Sequence, residues 1–371
     1  MEEKILTVRQ AAKMLQVDPN TIYRWARAGN FPGSKIGRDW RILKSDVMKF
    51  LEKHMHRTVL LTDKQIAELV TALIGRREMP LKFQYLGEGA DRFAQFEHTA
   101  EYGIGQSEID IIIQNDRRIL SHLENKEYNL VDMGCGDGKK AAVVMERFAM
   151  HDLLQGYFPV DISSRMIDIA TSNFSIAHQN ATIETFLEDF EAGNIARVTY
   201  YLRRRYQRDN FILFLGTTIG NLSDSHRLLV NFRESMIESD FLLIGLALYN
   251  KRKNPLEGYD EKIIYEWLWT IPNKLGIKRE DAGIELSFNK EKLQIEYKLV
   301  FKRNWSKIIG GQILKIERGQ RILIAVSRKF TKDEVLKMLG GAGFKILEIF
   351  SNKENDYGLV LCKPHSWETK L

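Results

Sequence analysis

Four residues of strand character, Leu130-Val131-Asp132-Met133, run directly into Gly134-Cys135-Gly136-Asp137-Gly138, and a helix can begin near Lys139. No other stretch of the chain restricts its fold so strongly. A strand that turns through glycines into a helix belongs to an open, largely parallel α/β sheet. The glycines let the backbone approach a ligand closely, and the free N–H groups of the helix start favour a polar or negative group. A GxGxG run is unspecific alone, but the residues after it narrow the reading. Tyr157-Phe158-Pro159-Val160-Asp161 is a second strand ending in an acid, where a carboxylate can accept both hydroxyls of a ribose. A third segment ends in Asp189-Phe190, suited to hold an adenine amino group and stack its ring. The fourth strand, 211–215, opens into Gly216-Thr217-Thr218-Ile219-Gly220-Asn221, a polar loop at the C-terminal sheet edge where such folds bind ligands.

The same acid could hold the ribose of NAD, so hydride transfer competes with other readings. The chain's end argues against it. A fifth strand at 241–248, a helix at 332–341, and a hairpin of 344–349 with 357–362 form the closing pattern typical of seven-stranded S-adenosylmethionine (SAM) methyltransferases. The expected fold is therefore α/β: a Rossmann-like, seven-stranded SAM methyltransferase domain with an inserted substrate-binding subdomain, plus a small N-terminal winged helix-turn-helix domain. The expected divisions are 1–57 for the helix-turn-helix, 58–127 for a helical part with a substrate-closing loop, 128–250 for the SAM-binding core, 251–322 for an inserted lid, and 323–371 for strands and a helix completing the sheet.

Composition limits the remaining classes. The only cysteines, Cys135 and Cys362, cannot build a disulfide framework or a metal cluster, and the acidic start Met1-Glu2-Glu3-Lys4 is unlike a secretory leader. A cytoplasmic protein without a metal is expected. Apolar runs such as 241–248 fall far short of the ~18–20 residues of a membrane span, so no membrane partner is expected. The +6 net charge is uneven: residues 1–57 hold 12 Lys/Arg against 6 Asp/Glu, and the rest holds 43 of each. A basic excess confined to one small module suits a phosphate backbone.

Within that module Thr7 can cap a helix whose apolar positions are Ala11, Ala12 and Leu15; Asp18 can cap a second, with Pro19 at its first position. The second helix buries Ile22 and Trp25, ends at Gly29, and turns Asn20, Thr21, Arg24 and Arg27 outward, as a recognition helix does. A hairpin and a closing helix from Ser45 follow. The pattern LTVxxAA, turn, TIYRWxRxG and a wing ending in WRI resembles the excisionase-type, MerR-like helix-turn-helix. The resemblance implies DNA contacts by Thr21, Tyr23, Arg24 and Arg27 and by Lys35, Arg38 and Arg41 in the wing; the alternative is a docking module with Tyr23 and Trp25 as core. Beyond it, Thr62 opens an amphipathic helix carrying Ile66, Leu69, Val70, Leu73 and Ile74, and another starts near Ser107. The glycine- and aromatic-rich stretch between them, from Lys82 to Gly103, reads as a loop able to close over a ligand.

MGCGDGKK, YFPVDIS, LEDF, ILFLGTTIGNL and LEGYDE, in this order, resemble the histidine Nα-methyltransferases of ergothioneine biosynthesis and their wider superfamily. The resemblance implies SAM as methyl donor and S-adenosylhomocysteine (SAH) as product. It assigns Gly134, Gly136 and Lys140 to the methionine half, Asp161 to the ribose, Asp189 and Phe190 to the adenine, and Gly216 to the cofactor side of the fourth-strand loop. Asn221 and Tyr259 would grip an acceptor's carboxylate, with Tyr85 and Tyr102 lining its pocket. The family binds imidazole with a Glu and a Ser two residues apart; here the segment reads Ala325-Val326-Ser327, so only Ser327 remains. The expected acceptor is an amino acid or related small amine, with specificity altered from histidine. No residue is assigned a catalytic role and no covalent nucleophile is required, and a nearby acceptor or an apolar pocket could assist loss of the ammonium proton. Two alternatives stay open: a SAM- or amine-sensing DNA-binding regulator without catalysis, and methylation of a macromolecule. The Asp/Asn-Pro-Pro-Tyr/Phe motif of nucleic-acid amino-methylating enzymes is absent.

Overall fold

The computed structural model describes residues 5–15, 17–27, 31–37, 39–47, 50, 61–97, 104–124, 126–149, 153–193 and 195–365. They divide into two units, Met1–Leu60 and Leu61–Leu371.

In the first unit, β1 (Ile5–Thr7), β2 (Ser34–Ile36) and β3 (Asp39–Leu43) form an antiparallel sheet in the order β1-β3-β2, beside α1 (Val8–Leu15) and α2 (Pro19–Arg27). Both helices begin where the side chains dictate. Thr7 Oγ1 accepts from the Gln10 amide at 3.3 Å while Gln10 Oε1 accepts from the Thr7 amide at 2.9 Å, and Asp18 Oδ1 accepts from the Asn20 amide at 2.8 Å. Ile22, Phe31, Ile42 and Val47 form the core, and Tyr23 and Trp25 pack against it half-buried.

The second unit carries a seven-stranded sheet in the order β14-β15-β8-β7-β4-β5-β6. Its strands are β4 (Tyr128–Met133), β5 (Leu154–Asp161), β6 (Phe186–Leu187), β7 (Asp209–Phe214), β8 (Phe241–Ala247), β14 (Phe344–Ser351) and β15 (Tyr357–Pro364). β4 to β8 run parallel, whereas β15 is antiparallel to both neighbours. Helices cover both faces because the central strands are apolar on both. Val131, Ile212, Phe214 and Leu242 meet α8 (Ile195–Tyr206), α9 (Ser225–Ser235) and α12 (Lys332–Gly341). Leu130, Phe211, Leu213 and Leu243 meet α5 (Ile104–Leu120), α6 (Lys139–Ala149) and Phe174 of α7 (Ser164–Ala177). Ahead of the sheet, α3 (Asp63–Gly75) starts at a capping box closed by Thr62 and Gln65.

Two expectations need correction. The stretch read as a closing loop is a 3₁₀ turn at Leu81–Tyr85 followed by a helix, α4 (Glu88–Glu97), although its last residues, 98–103, lie outside the described ones. The glycines misled: a Cβ at Gly89 would collide with the Gln84 carbonyl, so this glycine serves close packing at the helix start. Residues 323–328, expected to complete the large sheet, lie in β13 (Arg321–Arg328), whose partner is β10 (Gln294–Phe301) in a separate antiparallel sheet with β9 (Ala282–Asn289). An unbroken apolar strand fits either sheet, and here it returns beside β10, an earlier strand of the inserted region. The inserted region also holds α10 (Lys262–Leu268), α11 (Thr270–Lys274) and the hairpin β11 (Trp305–Ile309) with β12 (Gln312–Ile316).

Candidate functional site

The C-terminal edge of the parallel strands opens into a cavity of about 430 Å³, the size of a small-ligand cleft. Its floor is the turn after β4. Gly134 (φ 71°) and Gly136 (φ 52°) are in the left-handed region. A Cβ on Gly134 would stand 3.5 Å from the Phe190 ring, so the turn and that ring lie side by side in the cavity lining.

Asp161 closes β5, buried at 7% exposure. Its Oδ1 accepts from the Ser163 amide at 2.9 Å, and among the described residues no cation pairs with it. Burial pushes the carboxyl up to about 7, against the lowering effect of the Ser163 and Ile162 amides. Asp189 caps the short 3₁₀ helix that begins at Phe190. Its Oδ1 accepts from the Glu191 amide at 3.1 Å, and its Oδ2 from Lys82 Nζ at 2.8 Å. Lys82 also reaches Glu68 Oε1 at 2.6 Å. Burial pushes the Glu191 carboxyl up to about 7 as well.

Lys140, in the first turn of α6, lies between two carboxylates, with Nζ 3.0 Å from Glu97 Oε1 and 3.3 Å from Glu108 Oε2. Glu108 is wholly buried. Its two oxygens each lie 3.1 Å from the Gly216 amide, and Oε1 accepts from the Tyr357 hydroxyl. The loop after β7 is thereby tied to the floor of the cavity.

At the other end, the Tyr259 hydroxyl and Ser327 Oγ are 3.0 Å apart, and Tyr297 donates to the Tyr259 carbonyl at 2.5 Å. Asn221 and Ala325 line the same space. Tyr85 packs on Phe93 and Trp267 with ring centres 4.9 and 5.2 Å apart, and Phe96 stacks on Trp267 at 6.3 Å. The cavity thus brings together Gly134, Gly136, Lys140, Asp161, Phe190, Gly216, Asn221, Tyr259, Ser327 and Tyr85. Asp189 stands next to it, turned to Lys82. Tyr102 lies outside the described residues. Sequence reading missed Glu97, Glu108, Phe93, Phe96 and Trp267; the i, i+3 spacing of Phe93 and Phe96 ending in a carboxylate was a helical signal for the first of these.

These residues fit SAM. Gly134, Gly136 and the Phe190 ring line the cavity together, Asp161 is a buried acceptor with which no cation pairs among the described residues, and the glycine turn leaves room that side chains would fill. In the first unit, Arg24, Arg27 and Lys35 are exposed, while Thr21 and Tyr23 are half-buried. Arg41 is ion-paired to Asp39 at 3.4 Å. Arg38 lies outside the described residues.

Residues 61–364 match the family described as histidine-specific methyltransferase, SAM-dependent, and residues 5–55 match a helix-turn-helix domain family. A histidine N-alpha-methyltransferase of Mycolicibacterium smegmatis is 23% identical over 297 residues, covering 77% of this chain and 90% of the relative. The N-methyltransferase imqF of Aspergillus flavus is 22% identical over 315 residues, covering 78% of this chain and 82% of the relative.

Proposed function

The chain belongs to the SAM-dependent, histidine-specific methyltransferase family, and from that premise we propose that it N-methylates an amino acid or related small amine other than histidine. The observation that carries this reading is the continuity of one cavity, from Gly134, Asp161 and Phe190 to Asn221, Tyr259, Ser327 and an apolar Ala325. Cofactor and acceptor can share it, with the acceptor's nitrogen facing the methyl group.

Bound SAM supplies a sulfonium whose methyl carbon is already activated, so the chain's task is to position an amine and exclude water. Asp161 would accept from the ribose hydroxyls; Phe190 would stack on the adenine, with Asp189 toward its amino group; Gly134, Gly136 and Lys140 would hold the methionine half, with Gly216 on the cofactor side. Asn221 and Tyr259 hold the acceptor's carboxylate, and Ser327 keeps the Tyr259 hydroxyl aimed. Tyr85 and Trp267 form an apolar wall that strips water from the acceptor's ammonium, which lowers its pKa and helps it reach the neutral form that attacks. Tyr102, outside the described residues, is assigned to the acceptor by family resemblance alone.

Titration of SAH into wild type and Asp161→Ala, followed by a panel of amino acids into the SAH complex, tests the reading. Binding lost in the variant, together with capture of a non-histidine amino acid, supports it. Selective capture of histidine overturns the acceptor assignment.

The first unit is proposed to bind duplex DNA through Thr21, Tyr23, Arg24 and Arg27, with Lys35, Arg38 and Arg41 in the wing. The basic excess and the exposure of Arg24, Arg27 and Lys35 support this. The free thiols of Cys135 and Cys362 suit a reducing cytoplasm. Among the described residues no helix is long and apolar enough to cross a membrane.

A further inference from the structure

Glu97, the last residue of α4, has a side chain only 7% exposed. Its Oε1 pairs with Lys140, but its Oε2 is buried and, among the described residues, has no hydrogen-bond partner. A buried carboxylate oxygen left unpaired carries a desolvation penalty that a ligand's donor removes. This oxygen lies over the glycine turn: a Cβ built on Gly136 would stand 3.3 Å from it, and both residues line the cavity. Charge points the same way. Lys140 is shared by two carboxylates, Glu97 and Glu108, so it does not serve Glu97 alone. Glu108 is already committed to the Gly216 amide and the Tyr357 hydroxyl. Glu97 Oε2 is therefore the oxygen left for a ligand, where a small multiple donor can approach over a residue without a side chain.

We infer that Glu97 Oε2 receives the α-ammonium of the methionine half of SAM and SAH, while Lys140 attracts the α-carboxylate beside it. The inference rests on the reading that this half lies over Gly134 and Gly136. It makes the site selective for adenosyl thioethers that carry an amino group.

The test is calorimetric titration of the full chain with SAH, with the SAH analogue lacking the α-amino group, and with 5′-methylthioadenosine. Wild type should prefer SAH to the deamino analogue by roughly ten- to hundredfold. Glu97→Gln should lose that preference by weakening SAH alone, while Glu97→Asp retains part of it. Unchanged binding of 5′-methylthioadenosine reports a folded adenosine site in each variant. Equal weakening of SAH and its deamino analogue in Glu97→Gln overturns the assignment, since Glu97 would then act only through Lys140. So does SAH binding that is lost in Asp161→Ala but indifferent to the amino group, a result that leaves the SAM site standing. Failure of wild type to bind any of the three ligands overturns the cofactor placement itself.

Discussion

Lys82 and Asp189 lie 107 positions apart in the chain, yet Nζ of the first is 2.8 Å from Oδ2 of the second. The same ammonium reaches Glu68 on α3, so one cation ties the helices ahead of the sheet to the edge of the cofactor slot. Burial works against this ammonium, but its bonds to Asp189 and Glu68 outweigh that effect and hold its pKa above the ordinary lysine value. Lys82→Met should lower stability by roughly 1–3 kcal/mol, because two carboxylates lose their partner while remaining only partly exposed. Urea unfolding checks this, and a change near zero would mean that solvent replaces the lysine.

Asp161 gives cofactor affinity a pH dependence. Its carboxyl is pushed up to about 7 by burial, and only the ionised form can accept from two hydroxyls at once. SAH affinity should therefore fall as pH drops from 8 to 6, approaching tenfold per pH unit below the midpoint. Calorimetry across this range should show the slope in wild type and a flat, weaker profile in Asp161→Asn.

Asp132 acts on stability with the opposite preference for protonation. It is wholly enclosed beneath the glycine turn, its Oδ2 accepting from the Tyr157 hydroxyl at 2.9 Å, and burial pushes its carboxyl up to about 7. A raised folded-state pKa contributes stability that is complete below the ordinary value near 4 and is lost as pH rises through about 7. Asp132→Asn removes that loss. Its melting temperature should gain on wild type between pH 5 and pH 8, by a free-energy difference of about 2–3 kcal/mol. A pH-independent gap between the two proteins would show that the carboxyl ionises freely.

Local signals made the central fold legible. The glycine turn after Met133, the acid ending β5, and the helix-plus-hairpin ending each depend on residues close in sequence, and the sheet order follows from their succession. What escaped depends on distant partners. Gly89 reads as a loop residue until the Gln84 carbonyl beside it is known. β13 reads as a strand of either sheet until β10 claims it. Glu108 looks like one more charge on an amphipathic helix, and only the fold sets it against Gly216 and Tyr357. Asp189 has the position expected of an adenine ligand, but its bond to Lys82 could not be foreseen from either segment.

If the first unit binds DNA, its exposed arginines should carry the electrostatic share. Arg24→Ala with Arg27→Ala should weaken binding across all sequences and reduce the slope of log affinity against log salt by about 1–2. Gel-shift titration at several salt concentrations measures this. An unchanged slope would favour a docking role for the module.

Ala325 offers the sharpest test of acceptor choice. It lies in β13 opposite Tyr297 of β10, two residues before Ser327, and it lines the cavity where the resembling family carries a glutamate for imidazole. Without that carboxylate the wall offers an imidazole N–H only the Ser327 hydroxyl, already engaged with Tyr259. A polar ligand atom buried without its partner loses orders of magnitude in discrimination. Ala325→Glu should therefore raise kcat/KM for histidine by about tenfold or more, while lowering turnover of the native acceptor and weakening the ligand-free fold through an uncompensated buried charge. Competition assays with histidine and the native acceptor, read alongside thermal melts with and without histidine, separate these effects. Histidine should restore part of the lost melting temperature. A variant that is destabilised yet no better with histidine would mean that position 325 does not face the acceptor's side chain.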